Sequence, residues 1–488
     1  MNEESRNRIE SDSLGTIEIP ASCLYGINTA RGRDNFAISH RILGDEPAFV
    51  RALARVKMAA AMANRELGVL QPDIADAIVV ACNEIIAGEH HEDFVIDMLE
   101  GSGGTSINMN ANEVIANRAL QILGQAPGNY RRIHPNDHVN LGQSTNDVVP
   151  TALKIACFEQ SVPLSKALYR LAEMLRTKSS EFSDVLRLGR TCLQSAQPMT
   201  LGQAFGGYAA AITRARDKIA VSADDLLIVP LGGTAIGTGL GAADGYREIV
   251  LRQLADVTGW TIAGSGDLFD GMQNADAFAR FSGELRVAAD IIGKISADLI
   301  ILSSGPTGGL GEITLPPVQA GSSIMPGKIN PVMPMMMQQV AFAVSGNDLA
   351  VSMAALQGQL EINHFEPVMA SRISDSLSLL TNGVRLFADR CIDGLQANRE
   401  QSLRNLMQSS ALATVFVPQL GYEMTSRLVK QSLKENRPFI ELVIEQGLLV
   451  ESDIMRTLQR AVTLMVPMKV NSQPGIILAR SEKPAGRN

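Results

Sequence analysis

Gly321-Ser322-Ser323-Ile324-Met325-Pro326-Gly327-Lys328-Ile329-Asn330 follows glycines at 305, 308, 309 and 311 and precedes a long, Met-rich apolar pattern with helical spacing. Such a density of glycine describes a mobile loop, and loops carried on rigid elements are where reactive groups concentrate. Two hydroxyls, a lysine and an asparagine have the chemistry to grip and deprotonate a small carboxylate. Two familiar loop types fail on spacing. A phosphate-cradling loop has four residues between its glycines and Ser or Thr after the lysine; here five separate Gly321 from Gly327, and Ile329 follows Lys328. A hydrolase elbow needs Gly-x-Ser-x-Gly, but Ser322 directly follows Gly321 and no glycine closes the pattern. Spacing alone leaves an ordinary flexible loop and a reactive site both open.

Outward from this loop the chain reads as helix. Residues 48–67 repeat apolar side chains at helical spacing and end at Gly68, while Pro72 and Asp73 open a second helix that stops at Gly88. Pro at a helix start and Gly just past its end are the expected punctuation. Longer helical patterns run through 147–180, 196–222, 274–303 and 332–363. Aromatics make up only 4%, and the Ala, Leu, Met, Ile and Val that fill these segments let long helices approach closely, as in a bundle. Strand-like alternation is confined to short pieces such as Thr16-Ile17-Glu18-Ile19, so the class is mainly α. Gly237-Thr238-Gly239-Leu240-Gly241 has the wrong spacing for a dinucleotide turn.

Composition narrows the partners. At 488 residues the chain can bury a large core, and length alone suggests about two to four domains. Cys23, Cys82, Cys157, Cys192 and Cys391 are scattered, odd in number and in no CxxC spacing, so neither a disulfide framework nor a zinc site is expected. A net charge of −8 argues against a general nucleic-acid binder. No apolar run is long enough to span a bilayer, and the start, Met-Asn-Glu-Glu-Ser, lacks the basic and apolar regions of a secretory signal. A cytoplasmic setting is expected, with a polar, disordered tail at 481–488.

Three further blocks stand in order before the loop: Gly104-Thr105-Ser106-Ile107-Asn108-Met109-Asn110-Ala111-Asn112-Glu113-Val114-Ile115-Ala116-Asn117; His134-Pro135-Asn136-Asp137 with Gln143-Ser144-Thr145-Asn146-Asp147; and Gly189-Arg190-Thr191 with Leu193-Gln194. Together with the loop, they resemble the conserved regions of the aspartase/fumarase superfamily, whose members eliminate an amine or water to release fumarate. Arg8-Ile9-Glu10, Leu14-Gly15 through Tyr25-Gly26 and Gly447-Leu448-Leu449 extend the resemblance over nearly the whole chain. It implies a three-domain long-helix fold: an N-terminal domain over 1–146, a central long-helix bundle over 147–398 and a small helical domain over 399–488. It also implies a homotetramer with a shared helical core and active sites each built from three subunits, acting on a small carboxylate amino acid with no organic cofactor; no metal-ligating residues and no nucleic-acid or membrane partner are expected.

Family correspondence then assigns roles. Elimination requires removing a proton next to a carboxylate, which places two negative charges on that group and calls for preorganised donors. The resemblance makes Thr105, Ser144, Thr145 and Ser323 those donors and Ser322 the general base. Lys328 and Asn330 support Ser322 and hold the second carboxylate, while Asn146, Thr191 and Cys192 line the side of the departing group. A serine base needs its alkoxide stabilised, which loop N–H groups and Lys328 would provide when water is excluded.

Two departures bear on specificity. Cys192 stands where the family commonly carries His, and Met335 where it carries a glutamate that partners that His; Ser195 and Gly241 replace a usual Asp and Asn. Losing one member of a buried polar pair leaves the other unpaired, whereas replacing both is nearly neutral. Cys192 reads as an inert, polarizable wall rather than a reactive thiol. The aspartase branch, which releases ammonia from L-aspartate, fits best. A lyase for a substituted, bulkier or quaternary amine, of the ergothionase type, comes second and a fumarase-like hydratase third; a catalytically silent structural homologue is the non-enzyme alternative. Asn110, Asn112 and Asn117 read as helix-packing residues, His134 as part of a turn, Glu89-His90-His91-Glu92-Asp93 as a solvated face, and His364 as a lone helical histidine.

Overall fold

The computed structural model describes residues 7–463, and helix dominates them. After an antiparallel hairpin of β1 (Asn7–Asp12) and β2 (Gly15–Pro20) come α1 (Ile27–Asn35), α2 (Pro47–Glu66), α3 (Pro72–Ala87) and α4 (Thr105–Ile122). α5 (Thr145–Glu181) spans 37 residues, roughly 55 Å at the helical rise. A second hairpin, β3 (Leu186–Thr191) and β4 (Gln194–Thr200), leads into α6 (Leu201–Asp224). α7 (Tyr246–Thr258), α8 (Leu268–Gln273), α9 (Asp276–Leu302), α10 (Val332–Leu356) and α11 (Glu366–Phe387) follow. The short helices α12 (Arg399–Met407), α13 (Ala413–Leu420), α14 (Tyr422–Glu435), α15 (Phe439–Glu445) and α16 (Glu451–Thr463) close the described chain. The mainly α class expected from the sequence is met. The polar tail lies outside the described residues.

Punctuation behaves as anticipated around α2 and α3: Pro72 opens α3 and Gly88 caps it with φ 101°, a left-handed conformation that glycine adopts without steric cost. Three expectations need correction. The helix expected over 196–222 begins only at Leu201, because Gln194–Thr200 pairs with β3 instead. Pro198 itself faces Leu188 in that ladder, and strand pairing is decided by a partner segment rather than by local periodicity. The pattern over 332–363 stops at Leu356, where Asn363 Nδ2 donates to the Ala354 and Ala355 carbonyls at 3.0 and 3.1 Å and so caps α10. His364 therefore sits in the loop before α11, half-buried with its ring 4.2 Å from that of Phe365, and not on a helix.

The chain divides into two compact units, and α5, α6, α9, α10 and α11 contribute residues to both. The first takes the chain up to Ser165, Lys218–Arg286 and Ala343–Leu380. In it α2 packs against α3 and α7. Ala52, Ala54, Ala59 and Ala60 are fully buried there, and such small side chains permit close helix approach. α1 is tied to α4 by Glu113, which accepts from the backbone N–H groups of Gly26, Asn28 and Thr29 and from the side chains of Asn28 and Thr29. These are donors that a helix start leaves without intrahelical partners.

The second unit takes Lys166–Asp217, Val287–Phe342 and the chain from Thr381 onward. Its core joins Leu186 and Leu188 of β3 to Leu406, Phe416, Leu428, Phe439 and Leu458 of the C-terminal helices. Among the described residues no helix is long and apolar enough to cross a membrane.

Candidate active site

In the first unit, the structure brings Ser144, Thr145 and Asn146 together at the start of α5, and Thr105 opens α4. The two helix starts are close: a Cβ on Gly104 (φ 89°) would lie 3.0 Å from Val149 Cγ1. Glu100 organises the turn before α4 by accepting from Gly104 N at 2.5 Å. Helix N-termini carry unpaired N–H groups and partial positive charge, so this corner suits a carboxylate. Thr105 is exposed, Ser144 and Asn146 are half-buried, and Thr145 is buried. Asn146 Nδ2 donates to the Ala235 carbonyl at 2.8 Å. Asp147 braces the same corner: Oδ1 accepts from Ser144 N at 2.9 Å, and Oδ2 from Gly232 N and Thr234 N at 3.0 and 3.1 Å. The glycine-rich 232–241 segment, which has no dinucleotide spacing, is thereby fastened behind the predicted donors.

Beneath them lies a residue that motif reading passed over. Lys57 of α2 is fully buried, donating to Asn140 Oδ1 at 2.8 Å and Gln143 Oε1 at 3.0 Å. Its signal in the sequence is a lysine on the apolar face of an Ala-rich helix. Burial pushes Lys57 down to about 7, against the pull of the Asp147 charge. Burial likewise pushes Asp147 up to about 6, against its backbone hydrogen bonds. In the unfolded chain a lysine keeps its proton to about pH 10.4. Between about pH 7 and 10 the unfolded state thus holds a proton that the folded state lacks, and stability rises with pH through Lys57. Lys57→Met is expected to remove that rise, checked by denaturant midpoints across this window. An equal rise in both proteins would show that Lys57 is not the group responsible.

In the second unit, the 321–330 loop closes on itself. Gly321 N donates to the Lys328 carbonyl at 2.8 Å, and Asn330 Nδ2 donates to the Gly321 carbonyl at 2.7 Å. Ser322 Oγ accepts from the N–H groups of Ile324 and Met325 at 3.1 and 3.0 Å. Such a pair of donors would stabilise negative charge on that oxygen. Ser323 and Lys328 are exposed. A Cβ on Gly321 would stand 2.5 Å from the Lys328 oxygen and 2.9 Å from Asn330 N. Gly321→Ala is expected to open this closure and lower kcat at least about tenfold, with an unchanged melting temperature because the loop is exposed. Wild-type kinetics in that variant would show that the closure is dispensable.

The hairpin carrying Thr191 is anchored by the fully buried Glu312. Arg187 Nε lies 2.8 Å from Glu312 Oε2 and Arg190 Nη2 lies 2.7 Å from Oε1. Asn405 Nδ2 donates to Oε1 at 3.1 Å. Two guanidinium groups on one carboxylate leave net positive charge at the base of the hairpin. Cys192 and Leu193 form its tip with φ of 51° and 61°, a two-residue turn of the type that favours Asn-Gly. Cys192 is exposed and Met335 is 46% exposed.

Several bland readings hold. Asn110 Nδ2 donates to the Asp93 carbonyl at 2.9 Å, and Asn117 Nδ2 to the Leu24 carbonyl at 2.7 Å, so both serve packing. His134 Nδ1 accepts from Asn136 N at 3.1 Å within a turn. The 89–93 run is less solvated than expected: Asp93 is buried and accepts from Leu24 N at 3.0 Å.

Residues 15–346 match a family described as lyase, and the chain belongs to that family, within the aspartase/fumarase superfamily. An aspartate ammonia-lyase from Pseudomonas aeruginosa is 46% identical over 455 residues, 93% of this chain and 96% of its own. One from Escherichia coli K12 is 42% identical over 448 residues, 92% of this chain and 94% of its own. Among solved structures, a cobalt-bound fumarate lyase/delta crystallin from Brucella melitensis superposes with a TM-score of 0.91 at 45% identity, over 93% of this chain and all of that one. A class II fumarase from Schistosoma mansoni gives a TM-score of 0.88 at 35% identity, over 93% and 99%.

Proposed function

We propose that this chain is an aspartate ammonia-lyase, a carbon–nitrogen lyase that converts L-aspartate to fumarate and ammonia. The observation that carries the reading is the 46% identity to an aspartate ammonia-lyase over 93% of this chain and 96% of that one. Ser322, its oxygen held by two N–H groups, takes the C3 proton. The electron pair of that C–H bond moves onto the adjacent carboxylate, which Thr105, Ser144, Thr145 and Ser323 stabilise as an aci-carboxylate. The pair then forms the C2–C3 double bond as the C–N bond breaks, and its electrons leave with the amine. Lys328 and Asn330 hold the second carboxylate, while Asn146, Thr191 and Cys192 border the amine. The working form is a homotetramer, its sites shared by three subunits and its chains divided near 146 and 398. Small free amino acids as substrates suit the cytoplasm.

Fumarate release, followed by ultraviolet absorbance with L-aspartate and then L-malate, tests this. Release from aspartate alone supports the aspartase reading, and release from malate alone replaces it with a hydratase. Silence on both, with succinate still bound, favours the second reading, a lyase for a substituted or quaternary amine. Cys192 and Met335 favour that reading, being soft groups suited to contacting methyls. Absence of succinate binding would point to a catalytically silent homologue.

A further inference from the structure

We propose that Lys57 is a positioning residue that sets the direction in which Thr145 donates its hydroxyl proton. This role rests on Thr145 being a substrate donor, as read above. Lys57 has no exposed surface on an alanine-lined face of α2. A buried ammonium is costly unless its protons are used. Two of them are, on Asn140 Oδ1 at 2.8 Å and Gln143 Oε1 at 3.0 Å. Lysine offers only donors when charged, and its neutral amine still has two N–H groups, one for each oxygen. The charged form requires oxygen from both amides, and both present oxygen to it; the neutral amine satisfies the same orientation with its two N–H groups. On its other side, Asn140 Nδ2 donates to the Gln143 carbonyl at 3.1 Å, a group that only accepts.

The polarity is then passed on. Asn140 Oδ1 also accepts from Asn108 Nδ2 at 3.2 Å, and the same nitrogen donates to Thr145 Oγ1 at 3.3 Å. Reversing the Asn108 amide would set its oxygen against Asn140 Oδ1, two acceptors with no proton between them. Asn108 Oδ1 has no partner among the described residues, so nothing there rewards the reverse orientation. Thr145 consequently accepts from Asn108. A hydroxyl has a single proton, and that proton is left to point away from Asn108, available to a ligand carboxylate. The other titratable groups acting on Lys57 are Asp147 at the start of α5 and Cys82 on α3. Neither lies in the hydrogen-bonded path from Lys57 to Thr145.

A double-mutant cycle between Lys57→Met and Thr145→Val tests this, using kcat/KM for the substrate found by the absorbance assay. Thr145→Val is expected to lower kcat/KM about 100-fold, the usual consequence of removing one such donor. Lys57→Met should lower it roughly 30-fold, and the double variant should be no worse than Thr145→Val alone, because the hydroxyl that Lys57 orients is gone. Losses that multiply in the double variant, or an unimpaired Lys57→Met, would overturn the inference while leaving Thr145 as a donor. Wild-type kinetics in Thr145→Val would instead remove Thr145 from the site, and this role for Lys57 with it. Circular dichroism checks folding. If Lys57→Met does not fold, Asn108→Ala takes its place in the cycle, with non-additivity supporting the inference and multiplying losses overturning it.

Discussion

Ser322→Ala is expected to lower kcat by about 10³- to 10⁴-fold, the scale of a lost general base, while the protein keeps its fold. The Oγ of Ser322 is the acceptor for Ile324 N at 3.1 Å and Met325 N at 3.0 Å. An alkoxide at that position meets two fixed donors, so its formation needs no rearrangement of the loop. Alanine removes the oxygen, yet Ile324 and Met325 are themselves exposed, and water replaces the lost partner at little cost to stability. Loss of turnover and retention of the melting temperature should therefore separate cleanly. Turnover near that of the wild type would show that the proton is taken by another group.

The second large effect is on stability. Glu113→Ala should cost about 3–5 kcal/mol, because several buried donors lose their acceptor at about 1–3 kcal/mol each, partly offset by relaxation. Glu113 is 1% exposed and lies in the interior of α4. Its two oxygens accept from three backbone N–H groups at 2.8 to 3.1 Å and from the Asn28 and Thr29 side chains at 2.9 and 2.7 Å. Alanine would strand these donors beneath α1, whose backbone packs directly on the carboxylate: a Cβ on Gly26 would sit 2.7 Å from the Glu113 carboxyl carbon. Glu113→Gln keeps one acceptor but turns an NH₂ toward the remaining donors, so it should fall between the two. Urea denaturation followed by circular dichroism measures the shift. A change below about 1 kcal/mol would mean that the start of α1 finds other acceptors.

Much of the helical frame was legible because its signals are local. Proline and glycine mark the ends of α3, and small apolar residues recur at helical spacing through α2 and α5. Spacing alone left the 321–330 loop undecided between a site and ordinary flexible chain. Its closure by Gly321, Lys328 and Asn330, and the two N–H groups on Ser322, depend on a backbone path that the order of residues only suggests. The β3–β4 hairpin was missed because its turn, Cys192-Leu193, lacks the Asn or Gly that a sequence reader looks for. Its pairing is instead held by Leu186 and Leu188 in the C-terminal core and by Arg187 and Arg190 on Glu312.

Lys57 shows the same division most sharply. As a letter in Arg55-Val56-Lys57-Met58 it is one lysine among many; in the fold it is a fully buried donor 83 residues from Asn140. By itself, the sequence determined the helical class, the order of the four blocks and the hydroxyl, lysine and asparagine inventory of the loop, since periodicity and punctuation act over a few residues. Only the tertiary structure decided which buried groups stand behind the proposed site residues and which way their hydrogen bonds run. Those contacts join residues tens of positions apart, and the direction of each bond is set by partners that no local pattern records.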